Sequence, residues 1–293
     1  MICNICPRQC NIDRSIKKGF CASGETLRVA RAALHMWEEP CISGRNGSGA
    51  VFFSGCNMRC IYCQNMEISR GRTGKDISTE RLADIFLELM DKGADNINLV
   101  TPTHFAGSII KAIESARNRG LTLPVIYNSS GYESVENIKK LEGYIDVYLP
   151  DCKYYDDELA EELSFAPAYH ETAVNAISQM IAQTGECTFD ENGMIRKGVI
   201  VRHMVLPGHT KDSISVLNSL YEKFKDSVYI SIMSQYTPLV RIEDHPELNR
   251  RLTKREYKKV TDHAVSIGIV NGFTQEGDVA KESFIPSFDL EGV

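Results

Sequence analysis

Six short apolar runs dominate the pattern of hydrophobic and polar positions after residue 49. Each run is rich in β-branched or aromatic residues, so each predicts a buried strand. The runs are 50–54, 97–101, 124–128, 146–150, 199–205 and 228–233. Strands that alternate with helical segments predict a parallel sheet with right-handed crossovers. The alternation alone leaves open whether this sheet is doubly wound or forms a complete or partial barrel.

The amphipathic segments between these runs predict the helices. Ser78 or Thr79 is the predicted N-cap of a helix that ends at Gly93. Its buried face is predicted to carry Leu82, Ile85, Phe86 and Met90. Further helices are predicted within 108–120, 135–143, 169–185, 212–226 and 252–268. Residues 1–48 show little periodicity of either kind, which predicts a separate N-terminal module ahead of a domain that spans 49–293.

Composition and charge narrow the class of protein. Hydrophobic residues make up 43% of the chain and charged residues 25%, as in an ordinary globular protein. The formal net charge of -6 argues against a broad basic surface for nucleic acid. No apolar run approaches the ~20 residues that cross a membrane, and the N-terminus lacks the apolar core of a signal peptide. We therefore expect a cytoplasmic protein that binds neither membrane nor nucleic acid.

Ten cysteines then require an explanation. In a reducing compartment, clustered cysteines indicate metal binding or catalysis rather than disulfides. Seven of them fall into two groups, which are Cys3, Cys6, Cys10 and Cys21, and then Cys56, Cys60 and Cys63. The other three, Cys41, Cys152 and Cys187, are isolated and are interpreted as ordinary buried small residues.

The second cysteine group directly follows the first predicted strand and has the spacing C-x3-C-x2-C. Thiolates are the soft ligands that iron–sulfur clusters prefer. Three thiolates from one loop can hold three irons of a 4Fe–4S cube and leave the fourth iron open to a small molecule. A zinc site that borrows a distant ligand and three reduced buried thiols are the alternative interpretations.

The chain resembles the radical S-adenosylmethionine (SAM) superfamily in this motif, with aromatic Tyr62 just before the last cysteine. Blocks between residues 38 and 238, such as NLVTPTHF, YLPDCKYY and IMSQYTP, resemble an uncharacterised branch similar to pyruvate formate-lyase activating enzymes. The resemblance implies an α/β fold, a partial (β/α)6 TIM-like barrel with a small cysteine-rich N-terminal module. It also implies an oxidoreductase that contains iron and sulfur and binds SAM.

Barrel enzymes place their chemistry at the carboxyl ends of the strands, and polar residues gather there in this sequence. The resemblance implies that Asp151 accepts hydrogen bonds from the SAM ribose, that Lys153 pairs with the SAM carboxylate and that Tyr62 lies against the adenine. A solvated ion pair and ordinary packing are the respective alternatives.

Other predicted SAM contacts rest on their position at strand ends. Asn128 and Ser129 are placed to hydrogen-bond SAM or to cap the next helix. The family often has Gly-Gly-Glu-Pro after its second strand, whereas this chain has Thr101 and Thr103 there, whose hydroxyls or carbonyls are candidate replacements. His203 lies within the fifth strand and is a candidate for the pocket, although a lone buried histidine is more often a core residue.

The N-terminal group has the spacing C-x2-C-P-x2-C-x10-C. The short region around it has too few apolar residues to fold alone, so a metal is expected to stabilise it. Four thiolates suit zinc or an auxiliary iron–sulfur cluster, and the sequence favours zinc slightly.

Three functional hypotheses follow. The first is an activase that abstracts a glycine hydrogen atom from a partner glycyl radical enzyme, with a flavodoxin or ferredoxin as the electron donor. The second is a radical SAM enzyme that modifies a small molecule or another protein. The third is a non-catalytic iron–sulfur or zinc protein, which would not cleave SAM.

Overall fold

The computed structural model describes residues 2–275 and 286–293, and within them the chain forms one sheet with helices packed against it. The strands are β1 (Leu27–His35), β2 (Ser48–Phe53), β3 (Lys75–Ile77), β4 (Ile97–Val100), β5 (Val125–Ser129), β6 (Val147–Pro150), β7 (Thr188–Phe189), β8 (Ile195–Met204), β9 (Tyr229–Met233) and β10 (Gly272–Thr274). Their order in the sheet is β10-β9-β8-β6-β5-β4-β2-β1-β3, and β7 pairs with β8.

All six predicted strands are present, as β2, β4, β5, β6, β8 and β9. They lie side by side in chain order, and every neighbouring pair among them is parallel. The outer strands β3 and β10 do not pair with each other within the described residues, so the sheet is not closed. The predicted α/β fold with a partial barrel is confirmed.

The six helices predicted from the sequence are present, with ends close to the predicted positions, and the described residues contain three helices that were not predicted, at Pro40–Ser43, Met66–Ser69 and Asp157–Ser164. Their bounds are α1 (Pro40–Ser43), α2 (Met66–Ser69), α3 (Thr79–Asp91), α4 (Ala106–Asn118), α5 (Val135–Lys140), α6 (Asp157–Ser164), α7 (Tyr169–Thr184), α8 (Thr210–Phe224) and α9 (Lys254–Ser266), with short 3-10 turns at Thr103–Phe105, Lys225–Ser227 and Pro246–Asn249. In the described ranges, none of these helices is long and apolar enough to cross a bilayer.

Helix α3 shows how the predicted pattern becomes packing. The Ser78 hydroxyl caps the helix by accepting the Arg81 N–H at 3.1 Å. Ile85 and Phe86 are at most 1% exposed, and burial of each contributes ~1.5–3 kcal/mol relative to exposure. Met90 is only partly buried, because Leu89 occupies the core position instead.

The region before residue 48 departs from the prediction, because it contains β1. This strand pairs antiparallel with β2 and with β3, so the sheet begins at Leu27 rather than after residue 48. The segment LRVARAALH carries alanine, arginine and leucine, which favour helices, and it lacks strict alternation. Pairing with β2 overrides that local preference. On its other side, the Ala32 N–H donates to the Glu291 carbonyl at 2.8 Å.

The parallel strands determine where chemistry can gather. Because the carboxyl ends of parallel strands point to one rim, the loops after β2, β4, β5, β6, β8 and β9 meet there. Nearly all of the residues predicted to bind cofactors follow or end one of these strands.

Candidate functional site

The loop after β2 carries Cys56, Cys60 and Cys63 at this rim. Gly55 precedes it with a φ of +95°, which is left-handed backbone that favours glycine. A Cβ at Gly55 would lie 2.2 Å from the Ser23 hydroxyl oxygen and 2.4 Å from the Cys21 carbonyl oxygen. Glycine is therefore required here, because the N-terminal segment packs directly against the start of the loop.

Hydrogen-bond donors point at two of the three sulfurs. The Met58 N–H donates to Cys56 Sγ at 3.4 Å, and the Ser164 hydroxyl donates to Cys60 Sγ at 3.0 Å. Burial raises the pKa of both thiols, while nearby Lys153 acts to lower the pKa of Cys60. Such donors stabilise negative charge on sulfur, so the loop is suited to thiolates that ligate iron.

A cavity of about 240 Å³ opens beside the cysteine loop. We call it the first cavity. Its lining combines two of the cysteines with polar side chains from the ends of β5, β6 and β8. The members that matter most here are Cys60, Cys63, Asn128, Asp151, Lys153 and Arg202. The sequence-predicted cysteine loop and the Asp-x-Lys element thus share one cavity.

Arg202 is at the centre of a buried charge network in the first cavity. Its guanidinium lies 3.0 Å from Asp151 Oδ1, 3.2 Å from Glu38 Oε2 and 2.7 Å from Asn128 Oδ1. Lys153 Nζ lies 2.5 Å from Asp151 Oδ2. Burial acts to raise the pKa of the Asp151 carboxyl, but Lys153 and Arg202 outweigh it and hold that pKa below its usual value. The cavity therefore presents fixed charges of both signs, which suits a zwitterionic ligand.

The sequence placed Arg202 among the polar residues near the strand ends but gave it no role, and it did not assign Glu38 to the site. A signal for Arg202 was available, because a charged residue inside the apolar run VIVRHMV needs a buried partner. Glu38 gave no such signal, since its segment carried no periodicity. It reaches the cavity from the opposite edge of the sheet, because β1 runs antiparallel to β2 and its last residue, His35, pairs with Ser48 at the start of β2.

Tyr62 contributes to the lining of the first cavity, as the resemblance implied for a residue beside adenine. Its hydroxyl hydrogen-bonds the Tyr154 hydroxyl, which lies 2.6 Å from Ser164 Oγ. Because Ser164 also donates to Cys60 Sγ, a chain of three hydroxyls ends on a sulfur. Burial raises the pKa of Tyr62 and Tyr154, so both phenols stay protonated.

The two threonines after β4 have structural roles in the loop that follows this strand. Thr101 has a φ of +60°, which is strained for a β-branched residue. The Thr103 hydroxyl donates to Glu133 Oε1 at 2.5 Å, and burial raises the pKa of Glu133 to about 7. Neither threonine is among the described residues that line the first cavity, so their contact with SAM stays a prediction.

At the end of β5, the side chains of Asn128 and Ser129 face different sides of the sheet. Asn128 lines the first cavity, where its amide bonds Arg202 and Glu38. Ser129 faces away, and its hydroxyl accepts the Gly131 N–H at 3.3 Å. Gly131 has a φ of +75°, and a Cβ there would lie 2.0 Å from the Asp151 carbonyl oxygen. Ser129 therefore supports the turn that holds Asp151.

His203 is buried, and the structure does not bring it to the first cavity. Successive residues of a strand face opposite sides of the sheet, so Arg202 faces the cavity and His203 faces away. Its Nδ1 lies 2.8 Å from the Cys152 carbonyl oxygen. Burial lowers the pKa of His203 to about 4, so the ring is neutral at pH 7. This geometry is that of a core histidine.

The N-terminal cysteines come together in one loop region. A Cβ on Gly19 would lie 3.5 Å from both Cys10 Sγ and Cys21 Sγ, and the Phe20 N–H donates to Cys10 Sγ at 3.5 Å. Burial raises the pKa of the Cys6 thiol to about 12, and nearby cysteines add to the effect. Cys3 is close enough to Cys21 to affect its pKa as well.

As the side chains stand, no three histidine, cysteine or acidic groups in residues 2–275 and 286–293 are arranged to hold a single metal ion. A cubane distributes its iron atoms over separate corners, so three thiolates that each ligate one corner need not converge on one point. The donor set and the sulfur-directed hydrogen bonds of Cys56, Cys60 and Cys63 fit such a cluster. Assignment of these ligands, and of a metal at the N-terminal group, stays a prediction.

The chain is similar to a known protein family and to individual proteins of known sequence. A family model described as "Radical SAM superfamily" matches residues 50–220. An uncharacterised protein of Methanocaldococcus jannaschii is 30% identical over 271 residues, which cover 89% of this chain and 74% of that protein. A pyruvate formate-lyase-activating enzyme of Clostridium pasteurianum is 23% identical over 216 residues, which cover 68% of this chain and 79% of the enzyme.

Solved structures share the fold. A radical SAM methyltransferase from Sphaerobacter thermophilus superposes with a TM-score of 0.56 at 12% identity, over 78% of this chain and 66% of that one. Streptococcus suis SuiB, solved with its precursor peptide SuiA, gives a TM-score of 0.50 at 13% identity. The match covers 76% of this chain but only 47% of SuiB, so the chain spans about half the length of that protein.

Proposed function

The chain belongs to the radical SAM superfamily, and from this premise we propose that Cys56, Cys60 and Cys63 hold its 4Fe–4S cluster while the first cavity binds SAM. The observation that carries the proposal is the shared cavity. Cys60 and Cys63 line it together with Lys153, and the charge network of Arg202 lies in the same space. A zwitterionic amino acid that must bind iron needs this combination of soft and charged groups.

Individual side chains have distinct roles in this proposal. Lys153 is the cation for the SAM carboxylate, and Asp151 accepts hydrogen bonds from the ribose. Arg202 holds Asp151 and Glu38 in place through two ion pairs. Tyr62 packs beside the adenine, and its buried hydroxyl is already satisfied by Tyr154, so its ring orientation is fixed.

When bound, the reduced cluster and SAM supply a 5′-deoxyadenosyl radical that takes a hydrogen atom from the substrate, and methionine is released. The protein binds and orients both cofactors and keeps water from the reacting atoms. A reduced flavodoxin or ferredoxin is the proposed electron donor.

The finer proposal is that the substrate is a glycyl radical enzyme, which the chain would activate. Its support is the similarity to the Clostridium pasteurianum activating enzyme over 68% of this chain. Modification of a small molecule or another protein is the second candidate. The observation that favours it is a further cavity of about 370 Å³, which shares Trp37, Glu38 and Arg202 with the first cavity.

Reductive cleavage of SAM is the direct test. Anaerobically reconstituted protein is mixed with SAM and reduced flavodoxin, and 5′-deoxyadenosine and methionine are measured by mass spectrometry. Wild-type protein should form both products, and Cys63→Ala should form neither. Cys187→Ala is the matched control, because Cys187 is half-buried just before β7, where its thiol donates to the Val199 carbonyl, and lies in neither cysteine group.

Electron paramagnetic resonance then tests the finer proposal. Incubation with SAM, a reductant and a candidate glycyl radical enzyme should yield a glycyl radical signal. SAM cleavage without that signal for any candidate enzyme would favour the second candidate. A fully loaded cluster that leaves SAM intact would refute the proposed function as a whole.

A further inference from the structure

The second cavity, of about 370 Å³, lies next to the first and is lined by the ends of β8, β9 and β10 together with residues 37–40. The two cavities share Trp37, Glu38, Arg202, Met233 and Gln235 in their linings. A molecule in the second cavity would therefore lie against the same wall that borders the first. This is the position that a substrate needs if SAM occupies the first cavity.

Glu39 is the distinctive group in the second cavity. The residue is 8% exposed, and its Oε2 is buried without a hydrogen-bond partner among the described residues. Ser231 interacts with the carboxyl group. A buried carboxyl oxygen without a partner is unfavourable, because it has lost water and gained nothing in exchange. Glu39 therefore lines the cavity with a carboxyl group that still lacks one hydrogen-bond donor.

The charges around Glu39 favour a cationic donor over a neutral one. Arg202 is the one basic side chain among the described residues that line the second cavity, and its guanidinium is occupied by Asp151, Glu38 and Asn128. Lys153 is likewise paired with Asp151. The two cations thus face three carboxylates, which are those of Glu38, Asp151 and Glu39. One negative charge is left uncompensated when Glu39 is ionised. Burial raises the pKa of Glu39, and Glu38 adds to this effect, although Arg202 acts to lower that pKa.

We propose that the second cavity is the substrate subsite and that Glu39 receives a protonated amine or guanidinium group of the substrate. This inference rests on the proposed function and adds the chemical class of the substrate. Either cation supplies several N–H donors and the missing positive charge together. The remainder of the substrate then extends along the wall formed by Glu38 and Arg202 towards the first cavity.

The chain provides its own reporter, because Trp37 is its single tryptophan and lines both cavities. Holoenzyme saturated with SAM is titrated with n-butylguanidinium, n-butylammonium or the neutral n-butyramide at constant ionic strength. We expect a saturable change in Trp37 fluorescence with the cations and none with the amide. Glu39→Gln should weaken cation binding by about tenfold to a hundredfold, as loss of a charged hydrogen bond predicts. Glu243→Gln, at an exposed acidic residue, is the matched control.

A second pair of probes distinguishes a small molecule from a polypeptide as the source of the cation. Acetyl-Gly-Arg-Gly-amide is compared with acetyl-Gly-Gln-Gly-amide. Binding of the arginine peptide without binding of the free cations supports the proposal and identifies a protein side chain. Absence of binding for every cation overturns it, as does equal affinity for cation and amide, and neither result requires the variant to fold. Unchanged cation affinity in a folded Glu39→Gln variant also overturns it.

SAM cleavage is measured in the same preparation, so that the two failures can be told apart. Cleavage of SAM without cation binding leaves the proposed function intact and overturns the subsite. Cation binding that depends on Glu39, in protein that cannot cleave SAM, supports the subsite while the proposed reaction fails.

Discussion

The Cys56 N–H donates a hydrogen bond to the Cys21 carbonyl oxygen at 3.2 Å, which joins the last N-terminal cysteine to the first cysteine of the β2 loop. The Ser23 hydroxyl supports the same junction by donating to the Ser54 carbonyl at 3.1 Å. Arg8 reaches the loop from the N-terminal side, where its Nε donates to the Asn57 carbonyl at 2.7 Å. The N-terminal segment therefore holds the backbone of the proposed cluster loop in place.

We predict that Cys10→Ser removes a metal from the N-terminal group and lowers the unfolding temperature by roughly 5–10 °C, because a metal that stabilises a short loop region contributes folding free energy. Zinc, iron and sulfide are measured in anaerobically purified protein, and unfolding is followed by circular dichroism. About one zinc lost indicates zinc, and about four irons lost indicates an auxiliary cluster. Cys187→Ser should change neither metal content nor unfolding temperature. Equal metal content in the wild-type protein, Cys10→Ser and Cys187→Ser would contradict a metal at the N-terminal cysteine group.

Ser164→Ala tests the hydrogen bond from the Ser164 hydroxyl to Cys60 Sγ. A donor to a ligating sulfur stabilises the more negative, reduced cluster, so its loss should lower the reduction potential. A differential effect of ~0.5–1 kcal/mol corresponds to roughly 20–40 mV for one electron. Spectroelectrochemical titration of the cluster measures this shift. Ser178→Ala is a suitable control, because among the described residues that hydroxyl donates to the Val174 carbonyl at 2.8 Å, within α7. An unchanged potential would show that Ser164 does not act on the cluster, and a raised potential would contradict its proposed stabilisation of the reduced cluster.

The strands and the cysteine loop could be predicted from the sequence because their signals are local. The run AVFFS and the motif that follows it lie within fourteen residues, and strand ends meet at one rim in any parallel sheet. The same rule places Asp151 and Lys153 at this rim, since they follow β6, whereas their roles towards SAM came from the family resemblance.

The features of the site that could not be predicted from the sequence depend on contacts between distant segments. Glu38 enters the site only because β1 pairs with β2, and β1 has no strong local signal. Ser164 ends α6, more than a hundred residues after Cys60, and nothing in the sequence indicates their contact. The face on which His203 lies depends on the register of β8, and a shift of one residue in that register would exchange it with Arg202.

Lys153→Met should weaken SAM binding by about tenfold to a hundredfold, because the variant loses the cation proposed to pair with the SAM carboxylate. Methionine retains most of the length of the lysine side chain, so packing changes little. Affinity is measured by isothermal titration calorimetry on holoenzyme. Lys197→Met, at an exposed lysine of β8, should bind SAM as wild-type protein does. Full affinity in Lys153→Met would contradict the assigned role.

The dependence of stability on pH should change when His203 is replaced. Its pKa is lowered by burial from an ordinary value of 6.5 to about 4, so the unfolded chain binds a proton between these values while the folded protein does not. The stability that the neutral ring contributes is therefore complete above pH 6.5 and is lost as the pH falls towards 4. In His203→Asn the amide can still donate to the Cys152 carbonyl but does not titrate. Between pH 7 and pH 5, the wild-type protein should lose roughly 2 kcal/mol more unfolding free energy than the variant, as urea titrations at each pH would measure. Equal losses in the two proteins would mean that His203 gains a proton in the folded protein as readily as in the unfolded chain, and would contradict its lowered pKa.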